Sequence, residues 1–267
     1  MALSLVTGPA VEPISLTEAK LHLRVDSTTD DALIEGLVRS ARLHIEAFTR
    51  RALGQQTWDD TRDAFPCEGV WWLEKPQIQS ITSITYLDTA GESQTWGSSN
   101  YLTDLPSGPF AQRARITPDY GVSWPSTYGV MNAVTVRYVA GYGGTAKAIT
   151  SITRSSTTAT VTTTAAHSYS SGQRITIAGS DQAAYNATFE ITVTGAATFT
   201  FTVTGSPTTP ATGTMTAANL GIPDPILSAM KLLIGHLYEN REAVNVGNTV
   251  NVMPMAVESL LWPYVAF

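Results

Sequence analysis

A single cysteine, Cys67, rules out any disulfide within the chain; it is compatible with a reducing compartment without requiring one. Charge is scarce as well, since only 14% of the 267 residues are Asp, Glu, Lys or Arg. The 22 acids outnumber the 16 Lys and Arg, for a formal net charge of −6. A protein that grips DNA needs basic residues to displace counterions from phosphates, so this balance argues against that role. No apolar run is long enough for a membrane helix. The opening MALSLVTGPAVEP has no basic region and too short an apolar stretch for an export signal. These absences predict a soluble protein made in the cytoplasm, with no membrane partner.

Chemical signatures are missing too. His22, His44, His167 and His236 sit on separate predicted elements, and none has a metal-ligand spacing such as HExxH. The stretch AGYGGTA (140–146) matches neither G-x-G-x-x-G nor a P-loop, so no nucleotide or other cofactor is predicted. The pair Asp30–Asp31 suits the start of a helix, and Asp59–Asp60 is expected to face solvent. His236 and Glu239, one helical turn apart, form a candidate base and orienting partner for a hydrolase. No nucleophile or oxyanion loop accompanies them, so the favoured reading is a helix end with solvated or intersubunit ion pairs. Trp71, Trp72, Trp96 and Trp124 offer stacking surfaces for sugars or bases, but core or interface aromatics are commoner. The chain is not expected to be an enzyme.

What is present is a sharp change of composition. From Ala146 to Asn219, 21 of 74 residues are threonine, with only three basic residues, two acids and no tryptophan. Within it TTATVTT (157–163), RITIAG (174–179), TFEITVT (188–194) and TFTFTV (198–203) alternate apolar and polar residues, the period of half-buried strands. Five to seven strands fit, which predicts a small sandwich or barrel rather than a disordered Thr-rich linker.

The flanks read as one domain split by this segment. Ser15 and Glu18 form a capping box for a short helix, SLTEAKLHLRV. A long helix follows in DDALIEGLVRSARLHIEAFTRRALG, with Leu33, Ile34, Leu37, Val38, Ala41, Ile45 and Phe48 on one apolar stripe. Arg50 and Arg51 suit its negative end, and Gly54 is where it should stop. Residues 56–143 carry strand and hairpin signals. After the Thr-rich segment, Asp224 is expected to cap a third helix with Pro225 at its first position, and Ile226, Met230, Leu233, Ile234 and Leu237 on its apolar face. A short helix, about 254–262, ends at Pro263. The predicted fold class is therefore α+β: a helical bundle with antiparallel β-hairpin elements (1–145 and 220–267), interrupted by an inserted all-β domain (146–219).

Several stretches, taken in order, resemble the head-to-tail connector (adaptor) proteins of long-tailed double-stranded-DNA bacteriophages. They are residues 13–53, QTWDDTRDAFP (56–66), SITSITYLDTAG (80–91), SWPSTYGVMNAVTVRYVAGYG (123–143) and IPDPILSAMKLLIGHLYENREAV (222–244). The Thr-rich segment departs from the family pattern, in which the strand ending AGYG leads directly into the Pro-led helix. The resemblance implies a homo-oligomeric ring, twelvefold in the family, below the portal of the filled head. Such a ring extends the channel for double-stranded DNA and meets the next neck or tail protein. It implies a place in the virion at the head-tail junction, assembly in the bacterial cytoplasm, and no catalysis. An acidic balance suits a channel in which DNA slides.

In the family the region after the last long helix engages the portal. Here that is residues 245–267, in which Val257, Leu260, Leu261, Trp262 and Tyr264 offer an apolar edge. The same edge serves equally well to fold back on its own bundle. A carbohydrate-binding or adhesion role for the Thr-rich segment is the competing reading, with Tyr169 and Tyr185 as its candidate aromatics.

Overall fold

The computed structural model describes residues 2–67, 69–143, 146–241 and 255–266. The chain falls into two compact units: Met1–Pro9, Ile45–Tyr142 and Leu261–Phe267 form one, Ala10–His44 and Gly143–Leu260 the other.

The first unit is built on strands β1 (Ala2–Thr7), β2 (Gln56–Arg62), β3 (Trp71–Trp72), β4 (Ile78–Leu87), β5 (Ser93–Thr95), β6 (Tyr101–Asp104), β7 (Arg115–Pro118) and β8 (Val134–Ala140). Five make a sheet in the order β1-β2-β8-β4-β5, and three make another in the order β3-β7-β6. All pairings are antiparallel. The alternation in β8 shows why: Val134, Val136, Tyr138 and Ala140 are buried, while the residues between them are not. Their side of the sheet meets Phe65, Trp71, Leu73, Ile84, Trp96 and Ile116 in one core. Phe65 lies at its middle, stacked on Trp124 at 4.8 Å and in contact with Trp71, Tyr86 and Trp96.

This unit holds more strand than a helical bundle with hairpins implies. The hairpin signals of 56–143 are there, but β8 pairs with β2 on one side and β4 on the other. That non-local pairing joins the pieces into one sheet. Strand β1 was not foreseen at all, although ALSLVT alternates weakly.

In the second unit, α1 (Leu16–Leu23) has the foreseen capping box: the Glu18 N–H donates to Ser15 Oγ at 3.2 Å, and the Ser15 N–H to the Glu18 carboxylate at 3.4 Å. Helix α2 (Asp31–Thr49) runs on into the first unit's residues. It buries Ile34, Val38, Ala41 and Ile45 at i, i+4, i+7, i+11 spacing, and leaves Leu33 exposed. It stops at Thr49 rather than near Gly54, because Arg50 takes a left-handed conformation at φ 58°. Helix α3 (Asp224–Glu239) starts one residue earlier than expected: Pro223 is its N-cap, and Asp224 lies inside the first turn without capping it. Gly235 of α3 faces the His22 ring of α1, at a distance where a Cβ would make ordinary van der Waals contact.

The Thr-rich segment forms β9 (Lys147–Ser155), β10 (Thr158–Thr163), β11 (Arg174–Ala178), β12 (Thr188–Glu190), β13 (Thr192–Gly195), β14 (Thr198–Thr202) and β15 (Thr216–Ala218). They make one antiparallel sheet in the order β12-β11-β15-β9-β10-β14-β13. The two outermost strands, β12 and β13, are joined through Ile191 alone. Consecutive Cα atoms lie about 3.8 Å apart, so the sheet must roll until its two ends meet. Ile191 itself bonds to Gly172 and Gln173 beside β11, while β13 pairs with β14. Inside the roll lie Ile152, Val161, Ile175, Ile177, Tyr185, Phe199 and Phe201. Outside, Thr158, Thr160 and Thr162 stand opposite Thr202, Thr200 and Thr198. First and last strands are neighbours, with Lys147 opposite Ala217. Just before them Gly143, at φ +85°, passes so close to Asn219 that a Cβ would sit 2.1 Å from its carbonyl oxygen.

Candidate functional site

The charged end of α3 is tied to the residue before α2. The Tyr238 hydroxyl donates to Asp30 Oδ2 at 2.6 Å, and Arg241 Nη2 donates to the same oxygen at 3.1 Å. Those two donors hold the Asp30 carboxyl below its ordinary value, and Asp30 in turn pushes the Tyr238 hydroxyl up. Asp31 pairs with Lys20 at 2.6 Å. His236 and Glu239 are both exposed, and His236 Nδ1 lies 3.3 Å from Asn240 Nδ2, not from the carboxylate. Glu242 lies outside the described residues.

The remaining histidines stay apart. His167 is buried, accepts the Tyr169 N–H at 2.9 Å and stacks on the Tyr169 ring at 4.8 Å. His22 and His44 are exposed. Among the described residues no group of three or more His, Cys, Asp or Glu could hold a metal ion.

Asp60 corrects the expectation of a solvent-facing pair. It is fully buried, and its Oδ2 accepts from Trp71 Nε1 at 2.7 Å and from Arg62 Nη2 at 2.9 Å. Neighbouring residues on a strand point to opposite faces, so Asp59 is the one turned out, in a two-bond pair with Arg137. The tryptophans divide likewise: Trp71 and Trp96 are core, Trp124 packs against it, and Trp72 is 45% exposed. Tyr185 is buried and Tyr169 half-buried, its hydroxyl donating to the Ala217 carbonyl and its pKa pushed up to about 12 by burial. The aromatics expected to meet a sugar thus face the interior of the rolled sheet.

The C-terminal segment divides into a held part and a free one. Helix α4 (Met255–Leu261) continues as a 3-10 turn over Trp262–Tyr264. Val257, Leu261 and Tyr264 are buried, Leu260 is half-buried, and Trp262 is 65% exposed. Within the first unit Arg51 Nε donates to the Tyr264 carbonyl, Ala266 N–H donates to the Thr49 carbonyl at 3.0 Å, and Phe110 stacks on Tyr264 at 5.2 Å. Arg51, expected to complement the negative end of α2, is fully buried; burial pushes its pKa down and the Tyr142 hydroxyl beside it opposes that. Residues 245–254 and 267 of the candidate portal-contacting segment lie outside the described residues.

The sequence reading missed a second apolar surface. The loop between β7 and β8 is anchored by Trp124 in the core and by Tyr128 N–H on the Leu87 carbonyl, yet Tyr120 is 100% and Met131 83% exposed. Tyr and Met are types enriched in protein interfaces. Their run without charge, YGVSWPSTYGVM, was the available signal.

Comparison with known proteins now adds to this geometry. Residues 13–93 match the family model described as Phage gp6-like head-tail connector protein, so the resemblance stands over that stretch. No curated protein matches the chain. Among solved structures, the fold is similar to a chain of the "Neck of empty GTA particle computed with C6 symmetry", with TM-score 0.60 and 16% identity, covering 100% of this chain and 96% of that one. A chain of the "Neck of native GTA particle computed with C12 symmetry" is similar at TM-score 0.58, again with 16% identity, 100% of this chain and 96% of that one. A further similar chain, at TM-score 0.58, belongs to the "Virion of native gene transfer agent (GTA) particle", with the same identity and coverage. At such identity the likeness is one of fold.

Proposed function

We propose that the chain is a structural protein of the head-tail junction in a tailed particle, where copies of it form a ring. The observation that carries this is the fold likeness to neck chains, which spans this chain end to end. The match of residues 13–93 to a connector family supports it from the sequence side. In this reading the ring is a 12-mer that sits beneath the portal, extends the DNA channel, and meets a neck or tail-completion protein on its other side. The protein performs no catalytic step. It is assembled in the host cytoplasm and remains in the virion.

Within that ring, residues 146–219 are an insertion into a connector domain made of 1–145 and 220–267. Support comes from the neighbouring first and last strands and from the close pass of Gly143 by Asn219. Of the candidate portal contacts, Trp262 is the side chain free to reach a partner; Val257, Leu261 and Tyr264 serve the chain's own packing. No observation favours the adhesion reading, because Tyr169 and Tyr185 face inward.

The test is to delete the gene in the particle's producer and complement it. Filled heads without tails are expected from the deletion, restoration by the wild-type chain, and weaker attachment with Trp262→Ala. Normal tailed particles in the deletion would sink the proposal.

A further inference from the structure

The five-stranded sheet has two open edges, and they match each other. On one side β1 is an edge strand whose far side has no strand partner among the described residues, and five of its six residues are exposed. Leu5 and Val6 are 47% and 44% exposed. On the other side β5 covers only Thr85–Leu87 of β4, and Trp96 N–H takes the Ile84 carbonyl. Residues 78–83 of β4 therefore have no strand on their outer side among the described residues. The two open stretches are ALSLVT and IQSITS: six residues each, with no charge and no proline. Natural edge strands are blunted by lysine, proline, extreme shortness or β-bulges; neither stretch has any of the first three, though both carry bulges.

The direction of the strands also fits. From β1 through β2 and β8 to β4 every step is antiparallel, so β1 and β4 run in opposite senses. Rotating a second copy about an axis along the strands places its β4 beside β1 in antiparallel sense, the stronger pairing. That contact joins two different edges, so it repeats head to tail and closes into a ring wherever the rotation divides a full turn. Bulges interrupt β1 near Val6 and β4 near Gln79 and Thr82. Bulges bend and twist a sheet, which a sheet running round an axis requires.

We propose that the open edge of β1 pairs with residues 78–83 of β4 in the next copy, so that the five-stranded sheets join into one continuous belt. This rests on the ring reading above. Main-chain hydrogen bonds set the register between copies, and Leu5 and Val6 add apolar burial.

Two edge variants test it in the full chain: Leu5→Lys with Val6→Lys, and Ser80→Lys with Thr82→Lys, all at side chains that are exposed in the isolated chain. Each variant should keep the wild-type melting curve and sediment as a monomer under conditions where the wild type forms rings. Mixed, they should give dimers and nothing larger, since one good edge remains on each. Full rings from either variant would overturn the proposal. If the wild type forms no ring alone, a short bis-maleimide is applied to particles carrying Leu5→Cys, Thr82→Cys and Cys67→Ser. A ladder of covalent oligomers is expected, and its absence overturns the belt. Particles that contain the chain at the junction but give no ladder leave the connector reading standing, whereas rings of purified protein with no place in particles remove that reading and keep the belt.

Discussion

The two larger sheets of this molecule solve the same problem in opposite ways. Both are antiparallel, and both bury one face over an apolar core. The Thr-rich sheet rolls until its end strands are joined by Ile191, so little edge is left to pair with anything else. Its outer face carries rows of threonine, uncharged and β-favouring, which tie up few specific contacts. The other sheet keeps two edges open and packs on an aromatic cluster around Phe65. A protein that ends as a monomer has reason to close every edge. In the belt proposed above the aromatic sheet is the one that joins copies, whereas the rolled sheet has closed its own edges and shares a compact unit with α1 and α3.

The largest effects should come from breaking each core separately. All six tryptophans lie in the first unit, so their fluorescence reports that unit alone, while far-UV circular dichroism reports both. Phe65→Ala removes the ring at the centre of four aromatic contacts and should cost about 3–5 kcal/mol, seen as an early fluorescence transition. Phe199→Ala should cost a similar amount in the rolled sheet, seen by circular dichroism with fluorescence unmoved. If both variants shift both signals equally, the two regions fold as one cooperative body and the contrast between them is only architectural.

A smaller effect sharpens the point for the aromatic sheet. Asp60 is a carboxylate in an otherwise apolar interior, held by Trp71 and Arg62, with Arg62 also 4.1 Å over the Trp71 ring. Asp60→Ala strands the indole N–H and leaves the guanidinium with the Trp72 carbonyl but without its carboxylate, at a cost of about 1–3 kcal/mol. The loss should appear in the fluorescence melt. An unchanged melt would mean that Asp60 is incidental to the core.

How much of this was legible beforehand follows from the range of the interactions. Local patterns came through: the Ser15–Glu18 capping box, the stripe of α2, and three of the four Thr-rich runs lie near their predicted places, whereas the run 188–194 breaks at Ile191 into β12 and β13. What failed depends on partners far away in sequence. Strand β1 exists through pairing with β2 more than fifty residues on, and β8 is central only because β2 and β4 both come to it. Asp60 read with Asp59 as a solvent-facing pair, but the strand's two faces separate them. Arg51 looked like a helix-end cation, but the segment that carries Tyr264 and Ala266 covers it. The exposure of the candidate portal-contacting residues was not legible either, since which face of a short helix stays open is decided by such covering. Of those five residues only Trp262 is exposed.

The smallest predicted effect lies in the second unit, at the link between the start of α2 and the end of α3. Asp30 accepts from Tyr238 and Arg241, and its carboxyl titrates below the ordinary 3.8. A carboxyl with a depressed folded pKa adds stability that is whole above its unfolded value and disappears as the pH falls through the folded one. The link is exposed to solvent, so salt screens it and the gain is slight. Asp30→Asn should melt a little below the wild type at pH 7 in low salt, by circular dichroism, with tryptophan fluorescence unaffected. As the pH falls below the ordinary carboxyl range and through the depressed folded value, the wild-type carboxyl takes up its proton, and the two melting curves should converge. A gap that persists undiminished in acid would mean that Asp30 acts through packing, and that charge has no part in tying α3 to α2.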